Sequence, residues 1–531
     1  MRVLLVSVQR NLDIMGLKGL HHFLLAHDHD SHLLYLPRFD AGDPAAVEAL
    51  RAFAAEIAPE LVGVSLMAND YGPAVEVTRF LKKALPEVPV VWGGIHPTTA
   101  PEMCLKHADY VCLGEGEQAF LDMAEAIEKT SPLTNVCNLC YLDDGLSHAS
   151  AHPNRPSDAR LVRNPLHPLV EDLDTLPIVA QVPPNSFVQL GGRVAPLTTR
   201  HLTRFKRYRG GVYKIMTSRG CPHGCTYCCN HFLRKLYGRW PVRRRSVAHV
   251  LSELEAAVRD GPPVEYVDFI DDCFLACDLG YLDEFRREYK ARIAKPFIAK
   301  GTPQYFTRGR MDLAVDAGMA WANVGLQSGS NRVCREVYDR QQSSEDFLKA
   351  ARLIHEYPVA SYYDVIVDNP FESEEDTLET VETLAAAPRP CYVLVFSLSF
   401  YHGTDLRERA LKECPGRLED PLTKDYLVRD RSAVNKLVDI ASLLHPPLMR
   451  FLLARYRHAP KALTTRMAVF AARLYSLWVL APITYFRLIM RTQKGSFCRA
   501  LRVLPIYFNG ALVYYLNHLA LYKRHPAKED G

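Results

Sequence analysis

The residues with the clearest chemical meaning are three cysteines in one short loop. Cys221, Cys225 and Cys228 have the spacing C-x3-C-x2-C and directly follow a predicted strand. A short loop that contains Gly and Pro can wrap three thiolates around one face of an iron–sulfur cluster. Three protein ligands leave one iron of the cluster open to another molecule. Cys229 is adjacent to Cys228, and neighbouring residues rarely both reach the same metal.

The other interpretations of this loop are structural zinc and inert thiols. Structural zinc usually takes four ligands in two separated pairs, which this loop does not provide. Cys137 and Cys140 form a separate C-x2-C pair, for which ordinary thiols are the favoured interpretation. The spacing therefore favours an iron–sulfur cluster.

Composition places these cysteines in a reducing, globular protein. The 531 residues are 48% hydrophobic and 23% charged, and the net charge is only +4. These values exclude disorder, collagen and coiled coil for the chain as a whole, and the charge does not demand a nucleic-acid partner. Fourteen cysteines are too few for a disulfide-stapled domain. The first residues lack the apolar core of a signal peptide, so we expect a cytoplasmic protein.

Residues 1–130 alternate between strand and helix patterns. Short apolar runs predict five strands, and amphipathic helices lie between several of them. The predicted strands are Arg2–Val8, His32–Leu36, Leu61–Leu66, Val88–Trp92 and Tyr110–Leu113. This alternation predicts an α/β domain with a doubly wound, Rossmann-like parallel sheet, whose ligand would lie at the carboxyl ends of the strands.

The rest of the chain divides into three parts. Residues 131–212 are rich in Pro and predict a surface connector, with a hairpin formed by Cys137–Leu142 and Ser147–His152. Residues 213–410 alternate again and predict a β/α barrel, either open or closed. Its predicted strands are Tyr213–Thr217, Tyr266–Ile270, Ala322–Leu326, Tyr362–Val367 and Val393–Leu398. Residues 411–531 predict a helical C-terminal domain.

The cysteine loop resembles the cluster motif of the radical SAM superfamily, including the aromatic Tyr227 before the last ligand. Tyr266–Asp272 resembles the second strand of that family and its acidic end. Gly325–Ser330 resembles the segment near the ribose and methionine of S-adenosylmethionine (SAM), with Gln327 in place of the usual Glu. Tyr401–Thr404 resembles a Pro-Gly-Thr element of that family, with His402 in place of Pro.

The resemblance implies a partial β/α barrel whose three cysteines hold a [4Fe–4S] cluster. SAM would bind the open iron, and its reductive cleavage would give a 5′-deoxyadenosyl radical. Two residues are assigned catalytic positions on this basis, Tyr227 and Asp272. Four further residues are assigned to SAM, namely Gln327, Ser328, Gly329 and Arg308.

The N-terminal sheet resembles a cobalamin-binding domain. The candidate contacts follow its predicted strands and are Ser65, Leu66, Asn69, Gly93, Gly94, His96, Gly114 and Gly116. The loop Gln9–Gly16 contains no His, so it offers no histidine as a lower axial ligand. A sheet that has kept this fold but lost its corrin is the alternative.

The C-terminal region contains two long apolar segments. Val503–Tyr522 has 20 residues without a formal charge, whereas Met467–Met490 is interrupted by Arg473, Pro482 and Arg487. Three interpretations stay open: a buried helical cap or lid on the barrel, a membrane-interfacial element, and a true membrane span.

Together these features predict a cobalamin-dependent radical SAM enzyme that transfers a methyl group. Its substrate would present an unactivated carbon, in a small or lipid-like molecule, and methylcobalamin would deliver the methyl group. The expected partners are a flavodoxin- or ferredoxin-type electron donor and, through the C-terminal helices, a membrane surface, but not nucleic acid. The alternatives are radical cyclisation or rearrangement, and a non-enzymatic metal-binding protein. RNA methylthiolation would require a second cysteine triplet in the N-terminal domain, which Cys104, Cys112, Cys137 and Cys140 do not form, and a basic RNA-binding tail.

Overall fold

The computed structural model describes residues 1–143, 160–205, 211–430, 432–501 and 503–504. The first domain begins with five strands, which are β1 (Arg2–Ser7), β2 (Asp30–Tyr35), β3 (Leu61–Ser65), β4 (Val90–Gly93) and β5 (Tyr110–Cys112). They are all parallel and lie in the order β5-β4-β3-β1-β2. The five predicted strands are confirmed, with ends that differ by at most two residues.

Helices cover both faces of this sheet. They are α1 (Met15–Ala26), α2 (Pro44–Ile57), α3 (Tyr71–Ala84), α4 (Ile95–Thr99), α5 (Pro101–Cys104) and α6 (Glu117–Glu128). α1 and α6 pack on one face, whereas α2 and α3 pack on the other. Burial on both faces explains why the central strands are continuous apolar runs. The strand order places a topological switch point between β1 and β3, where such sheets bind ligands.

The predicted connector extends the first sheet at both edges. Its strands are β6 (Leu139–Asp143), β7 (Arg160–Arg163), β8 (Ser186–Leu190) and β9 (Arg193–Pro196), and its helix is α7 (Thr199–Phe205). β6 and β7 continue from β5, and β8 and β9 continue from β2, so the sheet has nine strands. The first strand of the predicted hairpin is present as β6, but Ser147–His152 lies outside the described residues.

The second domain is built on six parallel strands. They are β10 (Val212–Ile215), β13 (Tyr266–Phe269), β14 (Phe297–Gly301), β15 (Met319–Gln327), β16 (Ala360–Val367) and β17 (Tyr392–Ser397). They pair in chain order, and the two edge strands do not pair with each other, so the barrel is partial. Between β10 and β13 lies a small hairpin of β11 (Ser218–Arg219) and β12 (Arg243–Arg244).

Six helices flank this sheet. They are α8 (Cys229–Tyr237), α9 (Val247–Asp260), α10 (Leu279–Arg292), α11 (Arg308–Ala317), α12 (Ser344–His355) and α13 (Glu374–Ala386). Sequence patterns predict every strand of this sheet except β14. That strand is only five residues long, follows Pro296 and alternates buried with half-buried positions that include Lys300. Its short mixed pattern lacks the apolar run by which the other strands are recognised.

The C-terminal region is helical where it is described. Its helices are α14 (Asp405–Glu413), α15 (Ala433–Ile440), α16 (Pro446–His458), α17 (Leu463–Tyr475) and α18 (Ala481–Thr492). A single wide turn at Ser476–Leu480 joins α17 to α18. Together they form a continuous helical stretch of 30 residues, Leu463–Thr492. Among the described residues, it is the one helix whose length and apolar composition would allow it to cross a membrane. Val503–Tyr522 lies almost wholly outside the described residues.

Helix α18 closes the amino-terminal end of the partial barrel. Leu488 is fully buried with Tyr266, Trp321 and Ala360, which lie at the starts of three strands. The Arg491 guanidinium donates hydrogen bonds to the carbonyl oxygens of Val359, at 2.8 Å, and of Tyr357, at 2.6 Å. The cysteine loop lies at the opposite end, where β10 finishes. α18 therefore packs on the end of the barrel opposite the cysteine loop.

We expect Leu488→Ala to lower the free energy of unfolding by about 2–5 kcal/mol, because it leaves a cavity in this buried cluster. Ile483→Ala on the same helix is the matched control, since Ile483 is 52% exposed. The control should change stability by less than about 0.5 kcal/mol. Chemical denaturation followed by circular dichroism measures both, and equal effects would contradict the described packing of α18.

Candidate active site

The cysteine loop is held at its base by a tight backbone approach. Gly220 has φ +99°, and a Cβ at this position would lie 2.2 Å from the carbonyl oxygen of Pro241. Only glycine combines this left-handed conformation with that contact. The approach joins the start of the loop to the segment before β12, and Cys221 follows immediately.

Asp271 anchors the same loop from the end of β13. Its carboxylate accepts hydrogen bonds from the Thr217 backbone nitrogen at 3.1 Å, from Thr217 Oγ1 at 2.8 Å and from Ser218 Oγ. Asp271 is buried. These bonds join the end of β13 to the chain that follows β10, and they fix the entry into the cysteine loop.

The three cysteines lie together in one buried environment. Cys225 is buried, whereas Cys221 and Cys228 are half-buried. Burial raises the pKa of Cys221 to about 12 and also raises the pKa of Cys225. A hydrogen bond from Cys229 lowers the pKa of Cys228. Thiolates in such a place require a positive partner, which iron would supply.

The geometry does not provide a mononuclear metal site. Across the described ranges, no group of three or more His, Cys, Asp or Glu side chains converges on one ion. A cluster carries its irons at separate corners, so three thiolates that hold one need not meet at a single point.

Arg340 is a buried cation beside the loop that sequence analysis missed. Its guanidinium lies 3.9 Å from Cys225 Sγ and 3.4 Å from Tyr227 Oη. It also donates a hydrogen bond of 2.8 Å to the carbonyl oxygen of Gly325. Arg340 thus joins the cysteine loop to the end of β15 and places a positive charge beside the Cys225 thiol. The sequence does not single it out, since Arg332 and Arg335 also follow β15.

Tyr227 is placed beneath the loop rather than in an open site. Its ring packs edge-on against Tyr338 with centroids 4.9 Å apart. Burial raises its pKa well above the ordinary value, so the phenol stays protonated. These contacts give Tyr227 a packing role, and they do not bring its side chain to the cavity described below.

The segment predicted to bind SAM lies at the end of β15. Gln327 has φ +66° and turns the chain away from the strand. Ser328 Oγ donates to Glu372 at 2.9 Å, and the Gly329 nitrogen donates to Thr380 Oγ1 at 2.7 Å. Ser328 and Gly329 therefore bind the segment that contains α13 through these hydrogen bonds. Gln327 is the member of this segment that remains at the strand end.

Arg308 lies away from the cysteine loop. It is 61% exposed and pairs with Glu356 just beyond α12. Its neighbour Arg310 donates to the carbonyl oxygens of Leu275 and Cys277. Neither side chain reaches the predicted SAM segment in this structure.

A cavity of about 420 Å³ lies between the two domains. It runs from the space between α1 and α6, past the ends of β3, β4 and β5, to the start of α8. Six of the predicted site residues line it: Ser65, Gly93, Gly94, Gly114, Gly116 and Asp272. The structure thus brings the glycines of the first domain and the acidic strand end of the second to one space.

Three other predicted contacts do not line this cavity. Leu66 is buried in the core, and Asn69 is exposed in a turn. His96 is buried against Tyr71 and His402, and burial lowers its pKa to about 4. The sequence located these residues correctly after their strands, but side-chain direction depends on the turns that follow.

Helix α1 supplies cavity residues that were not predicted. Met15, Gly16 and Gly19 line the cavity at the amino end of this helix. A Cβ added to either glycine would meet no atom within 4 Å. Two glycines three residues apart leave an open strip on a helix, and that spacing was the available signal. The lining of this space is rich in glycine and largely apolar.

Asp272 lies where the cavity meets the cysteine loop. Its side chain is exposed and lines the cavity, and desolvation by the surrounding protein raises its pKa. Asn230 stands beside it and is oriented by Trp240, whose Nε1 donates to Asn230 Oδ1 at 2.8 Å. The carboxyl group can therefore meet a molecule that enters between the two domains.

Glu115 joins the two domains next to this cavity. Its carboxylate pairs with Arg219 at 3.1 Å and with Arg243 at 2.8 Å. Burial opposes its ionisation, but the hydrogen bond from Arg243 and the charges of both guanidiniums hold the pKa of Glu115 below its ordinary value. The Glu115 nitrogen also donates to Tyr237 Oη at 2.9 Å. A Cβ on Gly114 would lie 2.0 Å from this oxygen, so Gly114 is required by the domain contact.

Comparison with known families agrees with this geometry. The B12 binding domain family matches residues 1–124, and the Radical SAM superfamily matches residues 215–384. The chain therefore carries a B12-binding domain followed by a radical SAM domain.

Curated relatives include two methyltransferases and a cyclase. An uncharacterized methyltransferase of Pyrococcus horikoshii is 25% identical over 61% of this chain and 63% of its own length. The cytidylyl-2-hydroxyethylphosphonate methyltransferase of Streptomyces wedmorensis is 26% identical over 58% and 57%. The anaerobic magnesium-protoporphyrin IX monomethyl ester cyclase of Synechocystis is 25% identical over 44% and 41%. The chain thus spans about six tenths of the length of the two methyltransferases.

Solved structures support the fold. OxsB with aqua-cobalamin and SAM bound has a TM-score of 0.63 at 15% identity, over 98% of this chain and 80% of that chain. The methyltransferase TsrM of Kitasatospora setae has a TM-score of 0.61 at 19% identity, over 78% and 76%. The matched domains and the ligands of these neighbours agree with the predicted cofactors, which are a [4Fe–4S] cluster, SAM and cobalamin.

We expect Glu115→Gln to lower the free energy of unfolding by about 3–5 kcal/mol, because buried Arg243 loses its carboxylate partner, whereas Arg219 keeps its ion pair with Glu117. Glu171→Gln is the matched control, since Glu171 pairs with Arg239 at the exposed surface. The control should cost less than about 1 kcal/mol. Urea denaturation distinguishes them, and similar losses would show that Glu115 does not stabilise the domain contact.

The raised pKa of the Glu372 carboxyl group predicts that the stability of the protein falls as pH rises. Burial raises its pKa from the ordinary value of 4.5 to about 8, against the hydrogen bond from Ser328. The folded protein therefore keeps this proton to a higher pH than the unfolded chain, so stability falls as pH rises from about 4.5 to 8. Between pH 6 and pH 8.5, the melting temperature of Glu372→Gln should fall less than that of the unmodified protein, by a difference of roughly 3 °C or more. The exposed Glu379→Gln variant should follow the unmodified protein, and a parallel curve for Glu372→Gln would refute this assignment.

Proposed function

We propose that this protein is a cobalamin-dependent radical SAM methyltransferase that methylates an unactivated carbon of a small or lipid-like molecule. The supporting observation is the single cavity that joins the glycine-lined strand ends of the B12-binding domain to the base of the cysteine loop. Two reactive centres can act on one substrate only if they face a common space. Similarity to two methyltransferases points in the same direction.

The three cysteines and Arg340 would hold the cluster side of this site. Cys221, Cys225 and Cys228 would be the cluster ligands, and the buried guanidinium of Arg340 would balance negative charge there. Gln327, at the turn after β15, would contact SAM. When bound, the cluster with SAM supplies a carbon-centred radical, and cobalamin supplies the methyl group.

The first domain and Asp272 would hold the other side. Ser65, Gly93, Gly94 and Gly116 would let a corrin approach the backbone closely, with Gly16 and Gly19 along its nucleotide tail. Asp272 would orient the substrate by hydrogen bonding, since its carboxyl group faces the cavity beside the cysteine loop. The enclosing walls would exclude water from a radical reaction.

Radical cyclisation without methyl transfer is the second candidate. The similarity to the magnesium-protoporphyrin IX monomethyl ester cyclase favours it. It would use the same cluster and cavity but would consume SAM only as a radical source. The product ratio described below separates the two functions.

We also propose two partners and a location. A flavodoxin- or ferredoxin-type donor would reduce the cluster, since radical formation from SAM consumes one electron. The protein would be cytoplasmic and would contact a membrane from one side through its C-terminal helices. The apolar helical stretch Leu463–Thr492 supports this contact.

Under anaerobic conditions, the protein reconstituted with iron, sulfide and cobalamin and supplied with SAM and a reductant should form S-adenosylhomocysteine and 5′-deoxyadenosine in near-equal amounts. Formation of both should depend on a lipid-rich or metabolite extract, which supplies the substrate. Near-equal yields mean that one SAM donates the methyl group and another gives the radical. 5′-Deoxyadenosine alone would contradict methyl transfer and favour the cyclase function.

In the same assay, Cys225→Ala should lower 5′-deoxyadenosine by roughly 100-fold, because the cluster loses one of its three ligands. Cys391→Ala is the matched control, since Cys391 is buried in the barrel core and outside the cysteine loop. The control should keep most of the activity and the iron content. Equal retention by Cys225→Ala would remove the basis for the cluster.

A further inference from the structure

Charge is strongly segregated along this chain. Residues 440–528 contain 14 Lys and Arg residues and no Asp or Glu. The remainder of the chain carries 50 basic and 60 acidic residues, so its net charge is −10. The small overall charge therefore conceals a highly basic C-terminal region attached to an acidic enzyme body.

The same region carries an exposed apolar stripe. Leu463, Met467, Phe470 and Leu474 are spaced by four, three and four residues, which places them on one face of α17. Their exposed fractions are 70%, 61%, 54% and 42%. Ile483 on α18 and Phe451 on α16 add to this surface, at 52% and 57% exposed. Contiguous exposed apolar side chains of this size mark a contact surface.

The packing of these helices against the rest of the protein does not explain why this exposed stripe is apolar. The opposite face of α17 is already packed, because Thr465 and Val469 are buried. α15 and α16 pack against α13, while α18 fills the end of the barrel. The apolar stripe faces outward from helices whose inner faces are satisfied.

Exposed cations border the stripe. Arg450, Lys461, Arg466, Arg487 and Lys494 are all exposed. Other cations of this region serve the fold, since Arg457 pairs with Glu375 and Glu382 on α13. In the part of the chain that the structure describes, no carboxylate lies within ion-pair distance of the five bordering cations. An apolar stripe edged by cations matches an anionic membrane surface, because the acyl chains accept apolar side chains and the anionic headgroups attract the cations.

We propose that the outer face of α16, α17 and α18 docks on a bilayer containing anionic lipids, with the helices lying in the plane of the interface. This inference deepens the membrane contact of the proposed function and names the surface and the lipid charge. The helices lie on the bilayer rather than across it, because one face of Leu463–Thr492 is packed against the enzyme. A second copy of the chain would bring two cationic surfaces together, and nucleic acid would leave the apolar stripe without a partner.

Flotation with vesicles tests the docking surface. The full-length, reconstituted protein is mixed anaerobically with phosphatidylcholine vesicles that contain either no phosphatidylglycerol or about 30% of it. We expect at least tenfold tighter binding to the anionic vesicles, and weaker binding as salt is raised. Binding to neither vesicle would overturn the proposal.

Two variants divide the apolar and ionic contributions. Met467→Gln, Phe470→Gln and Leu474→Gln together should weaken binding to anionic vesicles by roughly tenfold or more. Arg466→Glu with Arg487→Glu should weaken it by about 20-fold or more, at about fivefold for each cation lost. Binding unchanged in both variants would place the contact elsewhere and refute the surface.

Matched controls keep the test specific. Val258→Gln, Leu279→Gln and Ile178→Gln remove exposed apolar side chains from the enzyme body, at 40%, 49% and 36% exposed. Lys83→Glu with Arg193→Glu reverses two exposed cations of the first domain. Both controls should bind like the unmodified protein, and if they lose binding equally, the attraction is not a property of the C-terminal helices.

Two further readouts distinguish bilayer docking from dimerisation and from a loss of enzyme chemistry. Light scattering without lipid reports the oligomeric state, and a dimer that the apolar variant abolishes would replace the bilayer by a second copy. 5′-Deoxyadenosine formation, measured in the same preparations, reports the chemistry. We expect the variants to lose vesicle binding and to keep forming 5′-deoxyadenosine. If the protein binds vesicles but forms no 5′-deoxyadenosine, the proposed function is wrong and the docking surface is still supported.

Discussion

A buried carboxylate between two guanidiniums is the interaction on which the rest of the site depends. Glu115 belongs to the loop after β5, whereas Arg219 and Arg243 lie on the hairpin that carries the cysteine loop. Removing charges from water is costly unless each one is paired, so this contact allows few relative positions of the domains. The cavity exists because the strand ends of one domain and the loop of the other are held at this distance. Tyr237 and Gly114 complete the contact and leave no room for a larger side chain.

The cysteine loop depends on a second constraint within its own domain. Gly220 lets the chain pass close to Pro241, and Asp271 holds Thr217 and Ser218 at the base. The two acidic residues at the end of β13 therefore have different positions. Asp271 supports the loop from within the protein, while Asp272 faces the cavity. Adjacent residues at a strand end point in opposite directions, which divides an acidic pair in this way.

Much of the fold was predictable because local pattern and burial agree. The strands of the first domain are buried on both faces and read as apolar runs, and the alternation of strands with helices identifies two α/β domains. β14 was missed because its alternating pattern includes Lys300 and lacks an apolar run. β8 of the connector was missed because it pairs with β2, which is distant in sequence, and such pairing leaves little trace in local composition. β9 pairs with β8 across the tight Gly191-Gly192 turn, a local hairpin signal that the sequence interpretation did not use.

For the site, the sequence by itself determined the chemistry: three cysteines at cluster spacing, glycines after the strands and an acidic strand end. These are local features, and the chemistry of a residue type does not depend on the fold. Only the tertiary structure decided which of them share a space. It brought Gly93, Gly94 and Asp272 to one cavity, turned His96 into the protein and placed Arg308 at the surface. It also added Arg340 beside Cys225, from a segment more than a hundred residues away. Side-chain direction and distant contacts are set by packing, and packing is a property of the whole chain.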